Sequence, residues 1–379
     1  MPPSAAQIFP FRIEVADEEI DDLLSRLART RWAGDFANDG GQFGMPAARL
    51  RALVAYWLNG FDWRASEAEL NALPHFRIEL GGLPIHFIWI RSGRPEAVPL
   101  VLTHGWPWTF WDFNRLVPLL AGTFDLVVPS LPGFAFSTPL RRPGVGAPET
   151  ADLWAELMSA LGYARFGAVG SDWGAHVAAN LAHAHADRLI GAYLTTCAIP
   201  GCRPPVAADF AENERADYER SRQRMRSARA HVLVNRDTPQ TAAWALNDSP
   251  AGLLAMLVEK RLLWMGTDRD LEEVFPADFL LTTAAIYWFT GSTHSAARFY
   301  ASSLRGAWTP RHARSPRLEA PIALGIFPDE PFLLPRATVE AHANLVRWQR
   351  FPRGGHYAPM EEPGPLAADI NAFFHELTR

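Results

Sequence analysis

Residues 170–174 read Gly-Ser-Asp-Trp-Gly, and they stand between a short apolar run and an alanine-rich run. The preceding residues, 165–169, read RFGAV, which predicts a buried strand of a parallel sheet. The following residues, 175–185, read AHVAANLAHAH, which favours a helix. The two glycines carry no side chains, so strand and helix can approach closely at the turn. The stretch therefore predicts a tight strand–turn–helix unit with an aspartate at its tip.

Asp172 indicates which chemistry this turn can perform. The pattern of two small residues around a nucleophile is that of the nucleophile elbow of α/β-hydrolases, where the central residue is usually serine. A carboxylate in that place attacks a saturated carbon, displaces an oxygen or a halide, and leaves an alkyl ester on the protein. Because that ester must then be hydrolysed, the site also needs a base for water and donors for the ester oxygen.

Alternating strand and helix patterns predict an α/β protein with a mostly parallel sheet. Residues 75–92 read as two strands joined at Gly81-Gly82. From about residue 198 to 305 the alternation gives way to helical, arginine-rich and aromatic sequence, which is typical of an insertion between strands. We therefore predict an N-terminal helical and meander module at 1–95, a core at 96–197 and 306–379, and a helical cap at 198–305.

Composition describes a large globular chain that can line an apolar pocket. The 379 residues are 48% hydrophobic and 20% charged with a net charge of −5, so nothing suggests a nucleic acid or an anionic membrane as partner. Neither an apolar run of about 18 residues nor a signal peptide is recognisable, and we expect a cytoplasmic protein. Cys197 and Cys202 fit a reducing compartment and have no further ligands beside them, so we expect neither a disulfide nor a metal site. The 14 tryptophans and 23 phenylalanines can line an apolar pocket.

The loop at 104–107, His-Gly-Trp-Pro, follows a predicted strand at 98–103. In α/β-hydrolases this loop supplies one backbone N–H of the oxyanion hole, and the residue after the nucleophile supplies the other. These donors would be the backbone N–H groups of Trp106 and Trp173. His104 and Trp108, at the two ends of the loop, are predicted to lie at the substrate pocket.

Two loops near the C-terminus supply candidates for the base and for the acid that orients it. Gly354-Gly355-His356-Tyr357 follows the last predicted strand, and His356 is the expected general base because the chain order is nucleophile, acid, histidine. The loop after the preceding strand holds two adjacent carboxylates, Asp329 and Glu330. One of them would orient the imidazole and stabilise its positive charge.

The chain resembles the microsomal-type and juvenile-hormone-type epoxide hydrolases and their soluble bacterial and fungal relatives. The resemblance extends over nearly the whole chain, from FRIEVADEEIDDLLSRLARTRW and NGFDWRASEAELNALPHF in the N-terminal module through THGWP, VVPSLPGFAFS, GSDWG, LNDSP, IYWFTGS, ARFY and GGHYAPMEEP. It implies an α/β-hydrolase fold with a cap and no cofactor. It also implies conversion of a small hydrophobic epoxide to a vicinal diol, through an alkyl ester on the aspartate of the elbow.

The same resemblance suggests roles for individual residues. The family's acid lies three residues after the phenylalanine of its Phe-Pro motif, which is Glu330 here, with Asp329 as the fallback. The family also uses two cap tyrosines to polarise the epoxide oxygen. The second matches Tyr287 in IYWFTGS, and the first falls on His231, eight residues before the proline of TPQT. A neutral imidazole still has one N–H to donate. Trp108 stands where a small residue is commoner, so we expect it to narrow the pocket.

Two other interpretations stay open at this point. A dehalogenase would use the same triad of aspartate, histidine and acid, with tryptophans near the elbow or His231 and Tyr287 holding halide. The N-terminal module and the cap segments YWFTGS and RFY argue against it. A ligand-binding homologue without catalysis would have no need of intact Asp172, Glu330 and His356. The sequence leaves open which epoxide is the substrate and whether the chain forms a homodimer.

Overall fold

A computed structural model describes residues 7–379, so the first six residues of the module predicted at 1–95 lie outside the described part. The described strands are β1 Phe9–Pro10, β2 His75–Leu80, β3 Leu83–Ile90, β4 Pro99–Thr103, β5 Asp125–Pro129, β6 Phe166–Gly170, β7 Leu189–Leu194, β8 Leu318–Ile326 and β9 Ala343–Arg350. Within these residues the strands form one sheet in the order β1-β2-β3-β5-β4-β6-β7-β8-β9. Strands β5, β4, β6, β7, β8 and β9 run parallel, and β1, β2 and β3 add antiparallel neighbours at one edge. The predicted α/β class with a mostly parallel sheet is confirmed.

The central strands are buried because their sequences are apolar throughout. All residues of β4, PLVLT, and of β6, FGAVG, are buried, as expected of strands covered on both faces. At the edge of the sheet, β2 and β3 form the hairpin that the sequence predicts. Gly81 and Gly82 make its turn with φ of 53° and 75°, a region that side chains rarely adopt.

Helices connect the strands and form the insertion. Their bounds are α1 Asp17–Ala28, α2 Ala47–Asn59, α3 Trp63–Leu70, α4 Val117–Leu120, α5 Ala147–Ala160, α6 Trp173–Ala184, α7 Arg215–Ala228, α8 Ala230–Asp237, α9 Pro239–Asp248, α10 Pro250–Trp264, α11 Leu271–Val274, α12 Ala277–Phe289, α13 Thr293–Leu304, α14 Arg336–His342, α15 Ala358–Glu361 and α16 Pro363–Leu377. Helices α7 to α13 lie between β7 and β8, and we call them the cap. None of the helices within residues 7–379 combines the length and the apolar character needed to cross a bilayer.

A buried ion pair fastens the cap to the core beside the site. Arg261 of α10 pairs with Asp112, and both side chains are almost completely buried. The guanidinium also lies over the ring of Tyr357, 4.3 Å from its centroid. Removal of one partner would leave a buried charge uncompensated, which typically costs about 3–5 kcal/mol. This contact therefore holds the cap in a defined position above the strand ends.

Candidate active site

The aspartate of the elbow stands at the carboxyl end of β6, where α6 begins. Asp172 has a φ of 52°, a conformation that costs a residue with a side chain about 1–3 kcal/mol. Close packing imposes it: a Cβ on Gly170 would lie 2.2 Å from the Gly174 oxygen, and one on Gly174 would lie 1.8 Å from the Thr103 oxygen. The predicted strand–turn–helix unit is confirmed, and both glycines are required for it.

Backbone donors reach the Asp172 carboxylate from two sides. The Trp106 N–H donates a hydrogen bond of 2.8 Å to Oδ1, and the Trp173 N–H also bonds to the carboxylate. The loop of Trp106 approaches so closely that a Cβ on Gly105 would lie 2.0 Å from the same oxygen. The structure thus brings together Asp172 and the two backbone donors that the sequence suggests.

His356 lies between two carboxylates and is completely buried. Its Nε2 is 3.3 Å from Asp172 Oδ2, and its Nδ1 is 2.9 Å from Glu330 Oε2. The backbone of the histidine is held as well, because its N–H donates a 2.9 Å hydrogen bond to the Trp264 oxygen at the end of α10. This bond ties the loop of the base to the cap.

The neighbouring carboxylate points elsewhere. Asp329 pairs with Arg224 at 3.0 Å and accepts a 2.9 Å hydrogen bond from the Thr267 N–H. The structure therefore brings Glu330, and not the fallback Asp329, to the imidazole. The spacing along the chain could not separate these adjacent residues, because consecutive side chains in a loop can point to different neighbours.

The surroundings of His356 and Asp172 shift the pKa values of both groups. Burial lowers the pKa of His356, but Glu330 and Asp172 outweigh it and raise this pKa to about 10. Burial raises the pKa of Asp172, but the neighbouring His356 and the two backbone donors outweigh it, so the pKa lies below its usual value. At neutral pH the site thus holds an ionised Asp172 beside an imidazolium. A carboxylate in this state can act as a nucleophile without first losing a proton.

A cavity of about 140 Å³ opens beside the nucleophile. It lies between the elbow, the cap and the loop that follows β8. Its walls combine apolar and polar side chains: Trp173, Val232, Leu304 and Phe332 with Asp172, His176, Thr196, His231 and Tyr300.

His231 and Tyr300 form the cap side of this cavity. The His231 ring stacks on Trp106 with centroids 4.8 Å apart, and its Nε2 is 3.2 Å from the Tyr300 hydroxyl. Burial and the charge of Asp172 raise the pKa of Tyr300 well above its usual value, so the phenol keeps its proton. The structure thus places an imidazole and a phenol together at the nucleophile, and the imidazole is the one predicted at position 231.

The phenol is not the one predicted. Tyr287 is almost completely buried, and its hydroxyl donates a 2.8 Å hydrogen bond to the Trp108 oxygen. It is not among the described residues that line the cavity. The structure therefore contradicts the expected position of Tyr287: the phenol that lines the cavity beside Asp172 is that of Tyr300. The signal for this residue was the ARFY segment, which the resemblance includes without giving its tyrosine a role.

His104 and Trp108 are likewise not among the described lining residues. The Nδ1–H of His104 donates to the Gly105 oxygen at 2.9 Å, and its Nε2 accepts from the Leu131 N–H at 3.1 Å. Burial lowers the pKa of His104 to about 4, which keeps it neutral. The Trp108 ring is buried against Tyr357, with centroids 5.1 Å apart. The expectation that they line the substrate pocket is therefore corrected: His104 holds the loop of Trp106, and the Trp108 ring packs edge-on against the His356 ring, with centroids 5.6 Å apart.

Comparisons with known proteins identify relatives over nearly the whole chain. Residues 8–113 match the family model described as the epoxide hydrolase N terminus, and residues 98–363 match that of the alpha/beta hydrolase fold. Epoxide hydrolase 1 of Oryctolagus cuniculus is 33% identical, over 97% of this chain and 88% of that protein. The structure of Aspergillus niger epoxide hydrolase has a TM-score of 0.86 and 30% identity, and covers 99% of this chain and 98% of that one. Juvenile hormone epoxide hydrolase from the silkworm Bombyx mori has a TM-score of 0.88 and 26% identity, with 99% and 96% covered. The α/β-hydrolase fold expected from the sequence is confirmed.

Proposed function

Because this chain belongs to the epoxide hydrolase family, we propose that it converts an epoxide to a vicinal diol through an alkyl ester on Asp172. The observation that carries the proposal is the arrangement of His356, with Nε2 3.3 Å from Asp172 and Nδ1 2.9 Å from Glu330. In this arrangement Asp172 is the nucleophile of the first step, and His356 is the base of the second step. Protein side chains, backbone donors and water suffice for both steps.

The first step is attack of Asp172 on a carbon of the epoxide. Oδ1 is held by the Trp106 N–H, so Oδ2 forms the new bond to carbon. The carbon–oxygen bond of the ring breaks, and its electron pair moves to the epoxide oxygen. Tyr300 and His231 face this oxygen from the cap. When His231 Nε2 carries a proton, it donates to the Tyr300 oxygen, which leaves the phenolic hydrogen for the substrate.

Ester formation changes the protonation of His356. The neutral ester replaces a carboxylate that raised the pKa of His356, so this pKa falls once the ester has formed. The imidazolium then loses one proton, and the product oxygen gains one through Tyr300. Charge balances, because an anion and a cation become a neutral ester and a neutral imidazole.

The second step is hydrolysis of the ester. Neutral His356, oriented by Glu330, takes a proton from water, and the hydroxide attacks the ester carbonyl. The N–H groups of Trp106 and Trp173 donate to the oxyanion that forms. Collapse releases the diol, whose oxygen takes the proton of the new carboxylic acid. Asp172 is again a carboxylate and His356 again an imidazolium.

A single turnover in water enriched in ¹⁸O tests the proposal. With enzyme in excess over epoxide, the oxygen added to the first diol should come from Asp172 and carry no label. The label should instead appear in the Asp172 carboxylate, where mass spectrometry of the peptide can detect it. Labelled diol in the first turnover would mean that water attacks the epoxide directly, and the ester mechanism would be wrong.

A further inference from the structure

Two polar side chains of the cavity, Thr196 and His176, take no part in the two chemical steps, and the Thr196 hydroxyl already accepts a 3.2 Å hydrogen bond from the Asp172 N–H. His176 lies in the first turn of α6, four residues after Asp172, which precedes the helix, and both residues line the cavity. Its ring packs against Trp173, with centroids 5.1 Å apart, and lines the cavity. Within residues 7–379, no hydrogen bond joins a ring nitrogen of His176 to another protein group. The imidazole therefore retains its capacity to bond to whatever occupies the cavity.

The state of His176 restricts what this partner can be. Burial lowers its pKa, against the opposing effect of Asp172, so the ring is neutral at neutral pH and offers one donor and one acceptor. The described lining residues include no arginine or lysine, while Asp172 contributes a negative charge. A substrate with an anionic group would be repelled by that charge. A neutral oxygen, such as that of an ether or an alcohol, would accept the N–H of the imidazole.

The size of the cavity restricts the partner further. Its volume of about 140 Å³ is well below the roughly 300–1,000 Å³ of sites for drug-sized ligands. The other walls of the cavity are mostly apolar, with Val232, Leu304 and Phe332 among them. A short chain with one polar atom matches such a cavity better than a long hydrocarbon does.

We propose that His176 is a specificity-determining residue, and that the preferred substrates are short epoxides whose side chain carries a neutral oxygen. This inference rests on the proposed function and deepens it by naming the substrate class. A site that holds a polar group for its substrate disfavours an analogue that lacks the partner, because the polar group is then left unpaired. Asp172 opens the epoxide ring whether or not the side chain of the substrate carries this oxygen. The preference for the oxygen is therefore separate from the ring-opening step.

Two substrates of the same shape test the assignment. Methyl glycidyl ether and 1,2-epoxypentane differ by one oxygen in place of a CH₂ group. The wild-type enzyme should have a higher kcat/KM for the ether than for 1,2-epoxypentane, because one neutral hydrogen bond contributes about 2- to 10-fold. His176→Phe keeps an aromatic ring against Trp173 but has no nitrogen, and should lower the ratio of the two kcat/KM values by about 2- to 10-fold. His176→Gln keeps a donor and an acceptor, and should retain most of the preference.

A control variant distinguishes the loss of a contact between His176 and the substrate from a general effect on the fold. His375 is exposed on α16, so His375→Phe should change neither the ratio nor the activity. Thermal unfolding of each variant shows whether it folds, and the ratio can be measured on any variant that retains activity. If the ratio of the two kcat/KM values were the same in the wild type, His176→Phe and His176→Gln, His176 would not determine the substrate preference. The proposed function would still stand, because both epoxides would be turned over. If the wild-type enzyme opened neither these nor any other epoxide, the proposed function would fail, and the subsite with it.

Discussion

Replacement of Tyr300 by phenylalanine removes one oxygen from the wall of the Asp172 cavity and should slow ring opening by about 10²–10³-fold. The alkoxide is a poor leaving group, so ring opening depends on donors at the place where charge develops. One such donor is typically worth about 2.7–4 kcal/mol. Tyr300 is almost completely buried and lies 3.2 Å from His231, so its hydroxyl is held in place before the substrate enters.

Tyr287→Phe is the matched control, because it removes the same atom from the same cap. Its hydroxyl donates to the Trp108 oxygen at 2.8 Å, so the variant leaves a buried carbonyl without this partner. The expected cost is about 1–3 kcal/mol in the free energy of unfolding. Ring opening should be nearly unchanged, since Tyr287 is not among the described residues that line the cavity.

Stopped-flow measurement under single-turnover conditions separates the two variants. Trp106 stacks on His231 and Trp173 lines the cavity, so their fluorescence should report formation of the ester. Urea denaturation gives the free energy of unfolding of each variant. If Tyr287→Phe slowed ester formation as much as Tyr300→Phe does, the proposal that Tyr300, and not Tyr287, donates to the epoxide oxygen would be refuted.

Three further predictions concern the charged groups of the site. His356→Gln should form the alkyl ester and fail to hydrolyse it, so intact-mass spectrometry should detect the adduct. If this variant consumed no substrate even in one turnover, His356 would also be needed for ring opening, which contradicts its role as a base in ester hydrolysis alone. Glu330→Gln should slow ester hydrolysis by orders of magnitude. Asp329→Asn should have a mild effect, because that carboxylate pairs with Arg224 and not with the imidazole. The reverse ranking in single-turnover rates would mean that Asp329 is the acid that orients His356. Because the pKa of His356 rises to about 10 on folding, its contribution to stability is fully present below its ordinary pKa of about 6.5 and is lost as the pH rises through about 10. The free energy of unfolding from urea titrations should therefore fall more steeply between these pH values in the wild type than in His356→Gln, and parallel curves would count against the raised pKa.

Local patterns in the sequence determined the elbow and the strand ends around it. An apolar run, two glycines around Ser-Asp-Trp and a helix-forming run specify the turn that carries Asp172. Trp106 and His356 follow other strands of the same parallel sheet, and the carboxyl ends of parallel strands meet at one edge. These residues could be predicted together because their positions depend on strand order and backbone direction.

Only the tertiary structure decided which side chains of the cap and loops reach the nucleophile. Tyr287 and Tyr300 both belong to segments that resemble the family, but they lie on different helices, and packing turns one hydroxyl to the Trp108 carbonyl and the other to the cavity. The resemblance favoured Glu330 over the adjacent Asp329, but no local pattern specifies their partners, because His356 and Arg224 lie far from them in sequence. The direction of such side chains depends on how the cap packs against the core, an interaction between distant segments that has no local pattern in the sequence.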